Sequence, residues 1–351
     1  MVDRMGNIKL TIGIPVYNGA IYIQQTLDSI ISQLDTSDEQ DQLEILISDN
    51  ASDDGTSIVS EKYQANHKDI INYYKNTENL GYDRNVDLVV ERAAGKHVWL
   101  LGCGDIVKDG AIKHILQHVN INAYDNILLN FDTYSGIKHE IDNERNFIIH
   151  KDKTFTSKDE FFVSTKFGIT PLSANVVLRA SWIKVMDDKP IAPGWIHVKR
   201  IMDLMSHAGY GGTLQVSKLC FTLYKESDGW WSKNGNLLLN SINLLKIVNY
   251  VHKKNIYKKE TTDLLFNEVH KNLHKLIRWS KRNGLKVNID LISDTITLFH
   301  DKPSYWLFHL PYLLIPNSIF NNKNIRRISI IPRDYIRIIR NFIRSRRICC
   351  I

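Results

Sequence analysis

The sequence predicts an α/β fold built on a doubly wound, mostly parallel sheet, followed by a helical extension. Three observations lead there. Through the first half, short β-rich runs alternate with amphipathic segments (residues 8–15, 20–34, 43–48, 56–64 and 70–74), the rhythm of βαβαβ units. The segment 20–34 carries Leu27, Ile30, Ile31 and Leu34 at the i, i+3, i+4, i+7 spacing of a helix with one apolar face, leaving Gln24, Gln25 and Asp28 toward water. Polar residues gather directly after the apolar runs, at the carboxyl strand ends where such sheets bind ligands.

The elements follow in order. The first strand closes on Pro15 and is followed by Tyr17 and Asn18; the second is followed by Asp49 and Asn50. Strands are expected at 97–101 and 126–131 around a helix at 111–119, with a less regular stretch at 166–171, a strand at 174–178 and a helix at 181–186. After Gly235 the composition turns to Leu, Ile, Asn and Lys at helical spacing until about His300. The expected organisation is a sheet domain over 1–235, a helical extension over 236–300 and a basic tail over 301–351, with no internal repeat and no low-complexity linker.

Composition narrows the class. With 351 residues and 43% hydrophobic content the chain buries a sizeable core. Cys103, Cys220, Cys349 and Cys350 form neither a disulfide framework nor a paired zinc spacing, which suits a reducing compartment. The first ten residues lack the apolar core of a signal peptide, so a cytoplasmic location is expected. No apolar run reaches the roughly 18 to 20 residues that span a bilayer; the best, 305–320, is interrupted by His309, Pro311 and Pro316. From Lys323 onward nine basic residues and one acid give +8, so the rest of the chain carries −1 of the total +7.

Three clusters could carry chemistry. Asp49 offers a carboxylate to a ring N–H, and Tyr17 a flat face to a nucleobase; alternatively Asp49, Asn50, Ser52 and Asp54 only cap the next helix. Asp105 ends an apolar strand that runs into Gly102 and Gly104, where a backbone approaches a ligand closely and a carboxylate holds Mg²⁺ or Mn²⁺ against a diphosphate. The other reading is a turn acid. Asn79, Gly81, Arg84 and Asn85 form a polar turn with one guanidinium suited to phosphate oxygens, or an ordinary helix start.

Taken together, residues 14–18 (Ile-Pro-Val-Tyr-Asn), 48–56, Asn79-Leu80-Gly81 with Asn85, and 99–105 occur in the order and spacing of family 2 glycosyltransferases, and the chain resembles their GT-A fold over about its first 110 residues. The resemblance implies a donor half over about 1–130, an acceptor half over 131–235, and inverting transfer from a nucleotide-diphosphate sugar. Pro15, Tyr17, Asp49, Asn50, Gly81, Arg84, Gly104 and Asp105 would bind the donor, with Asp105 on the metal. The family's Asp-x-Asp metal motif is reduced here, because Cys103 stands where its first acid is expected. That cysteine is either a soft-metal ligand or an inert small side chain.

Residues 173–179 and 193–197 resemble the acceptor half of the abequosyltransferase-like O-antigen subgroup. An inverting displacement needs a base for the acceptor hydroxyl. The family's usual acid is missing there and His197 takes about its place, with Asp203 in reserve. Trp195 and Trp182 are candidates to stack on a sugar, and Trp230 with Trp231 to close as a lid.

In the tail, Ile336, Ile339, Phe342 and Ile343 share one helical face and arginines fill the other, the pattern of an interfacial helix on anionic lipid. Nucleic acid is the rival partner for such a stretch, but no nucleic-acid-binding module accompanies it. The sequence thus points to a peripheral enzyme on the inner face of the membrane, acting on a lipid-linked or growing surface glycan such as O-antigen or capsule. A catalytically silent binding module and a nucleotidyltransferase are the alternatives.

Overall fold

The computed structural model describes residues 7–34, 40–121, 124–135, 140–145, 151–165, 168–187, 191–207, 213–224 and 236–317. The lid expected at Trp230 and Trp231 and the basic tail from 325 lie outside the described residues.

The chain opens with β1 (Leu10–Val16), α1 (Ala20–Ile31), β2 (Leu43–Asp49), α2 (Thr56–Asn66), β3 (Ile71–Lys75), α3 (Tyr82–Arg92) and β4 (His97–Leu100). All four strands run parallel, β1 pairing with β2 on one side and β4 on the other. Parallel neighbours require long crossovers, which the three helices supply. β1 and β2 are apolar almost throughout and buried on both faces, as a sheet covered by helices demands. In α1, Ile23, Leu27 and Ile30 are buried and Gln24 and Asp28 exposed, as the spacing predicts.

Next come β5 (Ile106–Val107), α4 (Ala111–Ile121), β6 (Asn126–Ser135), β7 (Glu140–Arg145), β8 (Lys153–Phe155), α5 (Lys158–Thr165), a 3₁₀ turn at Leu172–Ala174, β9 (Asn175–Leu178), α6 (Arg179–Lys184), α7 (Ile196–His207) and β10 (Thr213–Tyr224). Ten described strands join one sheet in the order β3-β2-β1-β4-β9-β6-β10-β5, with β7 on β6 and β8 on β10. β9 is antiparallel to both neighbours, whereas β6 and β10 are parallel. Connections leave β1 toward β2 on one side while β4 returns on the other, so a switch point lies at the carboxyl end of β1.

Helix α3 sits close to the sheet because Gly13 has no side chain: a Cβ there would lie 2.2 Å from Val89 Cγ1. Its other side packs on α6 and α7, which explains why Asn85 through Val90 are all buried.

The extension is helical: α8 (Asn236–Lys253), α9 (Lys259–Arg282), α10 (Ile289–Phe299), a π turn at Tyr305–His309 and α11 (Leu310–Leu314). Described residues within Met1–Ser227 and Asn243–Asn267 form one compact unit, and those within Asp228–Ile242 and Glu268–Ile351 a second, so the division falls inside two helices. In the first unit Tyr257 donates its hydroxyl to the Met202 carbonyl at 2.8 Å, and Asp159 accepts from Lys258 N and Thr261 Oγ1. In the second, Leu273, Ile277, Phe299, Tyr305 and Leu313 are buried and Lys281 Nζ donates to the Leu313 carbonyl at 2.7 Å. Among the described residues no helix is long and apolar enough to cross a membrane.

Candidate active site

The loops after β1 and β2 are laced together by polar contacts. Val16 pairs with Asp49, and Asn50 N donates to the Val16 carbonyl at 2.8 Å. Beyond them Asn18 N donates to Ser52 Oγ, Asp53 N to Asn18 Oδ1, Gly19 N to Thr56 Oγ1 and Ala20 N to Asp54 Oδ2. Asn18, at φ 51°, adopts the left-handed conformation that asparagine tolerates. Tyr17 projects from this turn 52% exposed, while Pro15 is half-buried within β1.

Asp49 is wholly buried. Its Oδ1 accepts from Ser52 N at 2.8 Å and from Ser52 Oγ, and its Oδ2 from the Tyr73 hydroxyl at 2.8 Å. Burial, then the Asp49 charge, pushes the Tyr73 phenol well up, so it stays protonated and donates. Asp49 thus closes a turn at Ser52, while the N-cap position of α2 is Gly55. An ionised carboxylate offers about four acceptor positions, so three such bonds leave room for one more.

Asn50 clips the 76–81 loop into place. Its Oδ1 accepts from Leu80 N at 2.9 Å and Asn76 Nδ2 at 3.1 Å, and its Nδ2 donates to Asn79 Oδ1 at 2.7 Å and the Gly81 carbonyl at 3.2 Å. Asn85 extends the network to Ser48, and Arg92 bridges Ser48 Oγ and Asn76 Oδ1. Gly81 turns into α3 at φ 82°, a backbone conformation open to glycine. Arg84, expected on phosphate, reaches instead along α3 to Glu91, two turns on, through a forked ion pair.

After β4 the loop 102–105 is held from two sides. Ser173 Oγ accepts from Gly102 N at 2.7 Å and donates to Asp105 Oδ2, while Trp99 Nε1 donates to the Ser173 carbonyl at 2.8 Å. Gly104 N donates to Thr26 Oγ1 at 2.9 Å, with φ 107°. Cys103 packs on Gly19, where a Cβ would come within 2.7 Å of its sulfur. Burial, with the Asp105 and Asp54 carboxylates adding to it, pushes the Cys103 thiol far up, which keeps it a neutral thiol in the metal-free protein. A divalent cation here would meet one protein carboxylate, Asp105. That donor set fits a hard ion such as Mg²⁺ or Mn²⁺, which takes one or two carboxylates and completes its shell with water and phosphate oxygens.

The expected acceptor residues belong to a packed cluster beside the start of α3. His197 is 1% exposed. Its Nε2 faces the Thr170 carbonyl at 2.9 Å and its Nδ1 the Tyr82 hydroxyl at 3.4 Å, and Trp195, itself buried, stacks on the ring at 5.8 Å. Because a carbonyl only accepts, Nε2 carries the proton. Burial lowers the His197 imidazole to about 4. Trp182 donates its indole N–H to Asp87 Oδ1 at 2.9 Å, within an ionic network of Asp87, Arg200, Asp187, Lys199 and Asp203. Asp203, the reserve base, is thus bound to Lys199 at 2.9 Å.

The fold therefore brings Pro15, Tyr17, Asp49, Asn50, Gly81, Gly104 and Asp105 to one set of strand ends. It turns Arg84 onto Glu91, and it seals His197 and Trp195 among protein groups. Tyr73 and Ser173 hold the site without having been singled out, and Ser52, named only as a possible helix cap, holds it too. Only Ser52 left a local signal, a hydroxyl three positions after an aspartate in an Asx-type turn. Asp83 was also missed: it accepts from Gly194 N and Ile196 N at the start of α7, and burial raises its carboxyl against the pull of those bonds.

The model of glycosyl transferase family 2 matches residues 11–179, the span that builds these loops. Over residues 11–179 the chain thus carries a family 2 glycosyl transferase region. Among curated proteins it is similar to abequosyltransferase RfbV of Salmonella typhimurium, 25% identical over 258 residues that make up 70% of this chain and 76% of that one. Among solved structures it resembles residues 1–349 of S. aureus TarS in complex with UDP-GlcNAc, with a TM-score of 0.57, 15% identity and coverage of 84% of this chain and 80% of that one. It also resembles the mannosyltransferase PcManGT of Pyrobaculum calidifontis in complex with GDP-Man and Mn²⁺, with a TM-score of 0.52, 14% identity and coverage of 89% and 86%. At these identities the structures establish the fold, and the chain shares the GT-A architecture.

Proposed function

We propose that this glycosyltransferase moves a hexosyl or deoxyhexosyl unit from a nucleotide-diphosphate donor to a hydroxyl of a lipid-linked or growing surface glycan, with inversion. The observation that carries the reading is the convergence of the 16–20, 49–56, 76–81 and 102–105 loops at the β1 switch point, with Asp105 between glycine-lined backbone and a serine hydroxyl. The nucleotide sugars bound by TarS and PcManGT and the sugar transfer named for RfbV support it.

Tyr17 offers its exposed ring to the base, and Asp49 its remaining acceptor position to a ring N–H beside Pro15 and Asn50. Gly81 and Gly104 admit the diphosphate close to the backbone. Arg84 would join it only by releasing Glu91. Asp105, oriented by Ser173, would hold Mg²⁺ or Mn²⁺, which neutralises charge developing on the departing diphosphate. His197 would accept the acceptor proton, and Trp195 line the acceptor, only after Tyr82 and the 170 segment draw back. The basic tail from 325 would hold the enzyme on the anionic inner face of the membrane.

The test is thermal unfolding with UDP, CDP, GDP and dTDP, each with and without Mn²⁺. A nucleotide at about 100 times its dissociation constant stabilises the fold by roughly 2.7 kcal/mol. One nucleotide should do so, and the effect should fall in Tyr17→Ala, whose exposed ring can be removed without opening the core, as well as in Asp49→Ala. No response to any nucleotide would discard the donor site. A product carrying sugar without nucleotide then separates transfer from a silent module and from nucleotidyl transfer.

A further inference from the structure

Helix α4 buries Ala111, Ile112, Ile115, Leu116 and Val119. That face leaves His114 and His118, one turn apart, together on a half-buried flank. Their rings meet edge to face with centroids 4.8 Å apart. Asp152 immediately precedes β8 and approaches from a different part of the chain, its Oδ2 lying 3.4 Å from His118 Nε2. Taking one ligand atom from each of the three residues, all lie within 4.8 Å of one another.

We propose that His114, His118 and Asp152 form a binding site for one transition-metal ion of the Zn²⁺ type, separate from the donor site. Metal–ligand bonds of about 2.0–2.2 Å set the edge of a tetrahedron at roughly 3.3–3.6 Å. The His118–Asp152 separation of 3.4 Å already matches that edge. Closing the remaining separations from at most 4.8 Å takes small side-chain rotations. Two imidazoles and one carboxylate select Zn²⁺, Co²⁺ or Ni²⁺, whereas an all-oxygen site such as that at Asp105 suits Mg²⁺ or Mn²⁺. Asp152 is exposed, which gives an ion entry from solvent and leaves the fourth position to water. A simple ion pair between His118 and Asp152 would need only one histidine; the second is directed at the same point. A bound ion would clasp α4, which follows the Asp105 loop, to the chain entering β8.

The test uses full-length, tag-free protein stripped with EDTA. Zn²⁺ is titrated calorimetrically, and Co²⁺ uptake is read from its visible absorption. The expected result is one Zn²⁺ per chain and tetrahedral Co²⁺ bands. Binding should weaken by about tenfold or more in His118→Gln and Asp152→Asn and vanish in His114→Gln/His118→Gln, with circular dichroism confirming that the variants fold. Asp105→Asn should bind Zn²⁺ as the wild type does. The inference is overturned if the wild type takes up no Zn²⁺ or if Asp105→Asn abolishes uptake. Unchanged uptake in the double variant would equally overturn it, as when His270, His274 and His309 of the second unit bind the ion instead.

Discussion

Lowering the pH from 7 to 5 should weaken the sheet unit through two buried histidines. His97 and His197 have at most 1% of their surface exposed, and burial lowers each imidazole to about 4. In an unfolded chain histidine titrates near about 6.5. Below that value the unfolded state binds protons that the folded state takes up only near 4. The stabilisation is therefore complete above about pH 6.5 and is lost as pH falls through the window between the two values. At pH 5 each ring removes about 2 kcal/mol and the pair about 4, a large share of a typical stability of about 5–15 kcal/mol. His309, lowered to about 4 in the second unit, adds its own loss. Urea unfolding at pH 7.5, 6 and 5, followed by the fluorescence of the buried Trp99, Trp182 and Trp195, measures the slope. His197→Gln should be less stable at pH 7.5 and lose roughly half of the sheet unit's dependence. A flat wild-type profile, or a variant with an unchanged slope, would refute the reasoning. It would mean that water reaches the ring. The same measurement bears on catalysis, because a general base works best with its pKa near the operating pH, and a His197 held near 4 falls short by about three units.

Gly13→Ala forces a Cβ to 2.2 Å from Val89 Cγ1 and should destabilise the fold by about 1–3 kcal/mol, with Val89→Ala in the same chain recovering part of the loss in a thermal melt. Ser173→Ala leaves Gly102 N–H without its acceptor and should lower stability by about 1–3 kcal/mol; donor binding measured with Mn²⁺ should drop more than binding without it. Deleting residues 325–351 should release the protein from anionic vesicles, and unchanged co-sedimentation would remove the tail as an anchor.

The parallel half of the fold was legible because its information is local. Strand, helix and strand recur with their own periods, and the crossover rule then arranges them. The strand ends were legible for the same reason: Tyr17, Asp49 and Asp105 each follow an apolar run directly. β10 was not read. Its pairing with β6 shifts register between Val216 and Leu219 and again before Phe221, which breaks the two-residue alternation that marks a strand. β5, only two residues long, exists through its antiparallel pairing with β10 and has no signal of its own. The side chains around the acceptor region depend on distant packing. Nothing near His197 in sequence shows that Thr170 and Tyr82 enclose it, and nothing near Arg84 favours phosphate over Glu91.

The reduced metal motif follows from charge and space at the β4 loop. Asp105 and Asp54 both act on Cys103, and the sulfur sits against Gly19, where even one added methyl group would collide with it. A second carboxylate at position 103 would bring a third negative charge into a partly buried corner, stable only with a cation present to offset it. The neutral thiol removes that repulsion and fills the space beside Gly19. It also offers one ligand fewer, so a divalent ion proposed at Asp105 would depend for most of its shell on water and on diphosphate oxygens. Ser173 fits the same division of labour. By accepting from Gly102 N while donating to Asp105, it fixes the remaining carboxylate in one orientation, as the proposed metal role would require.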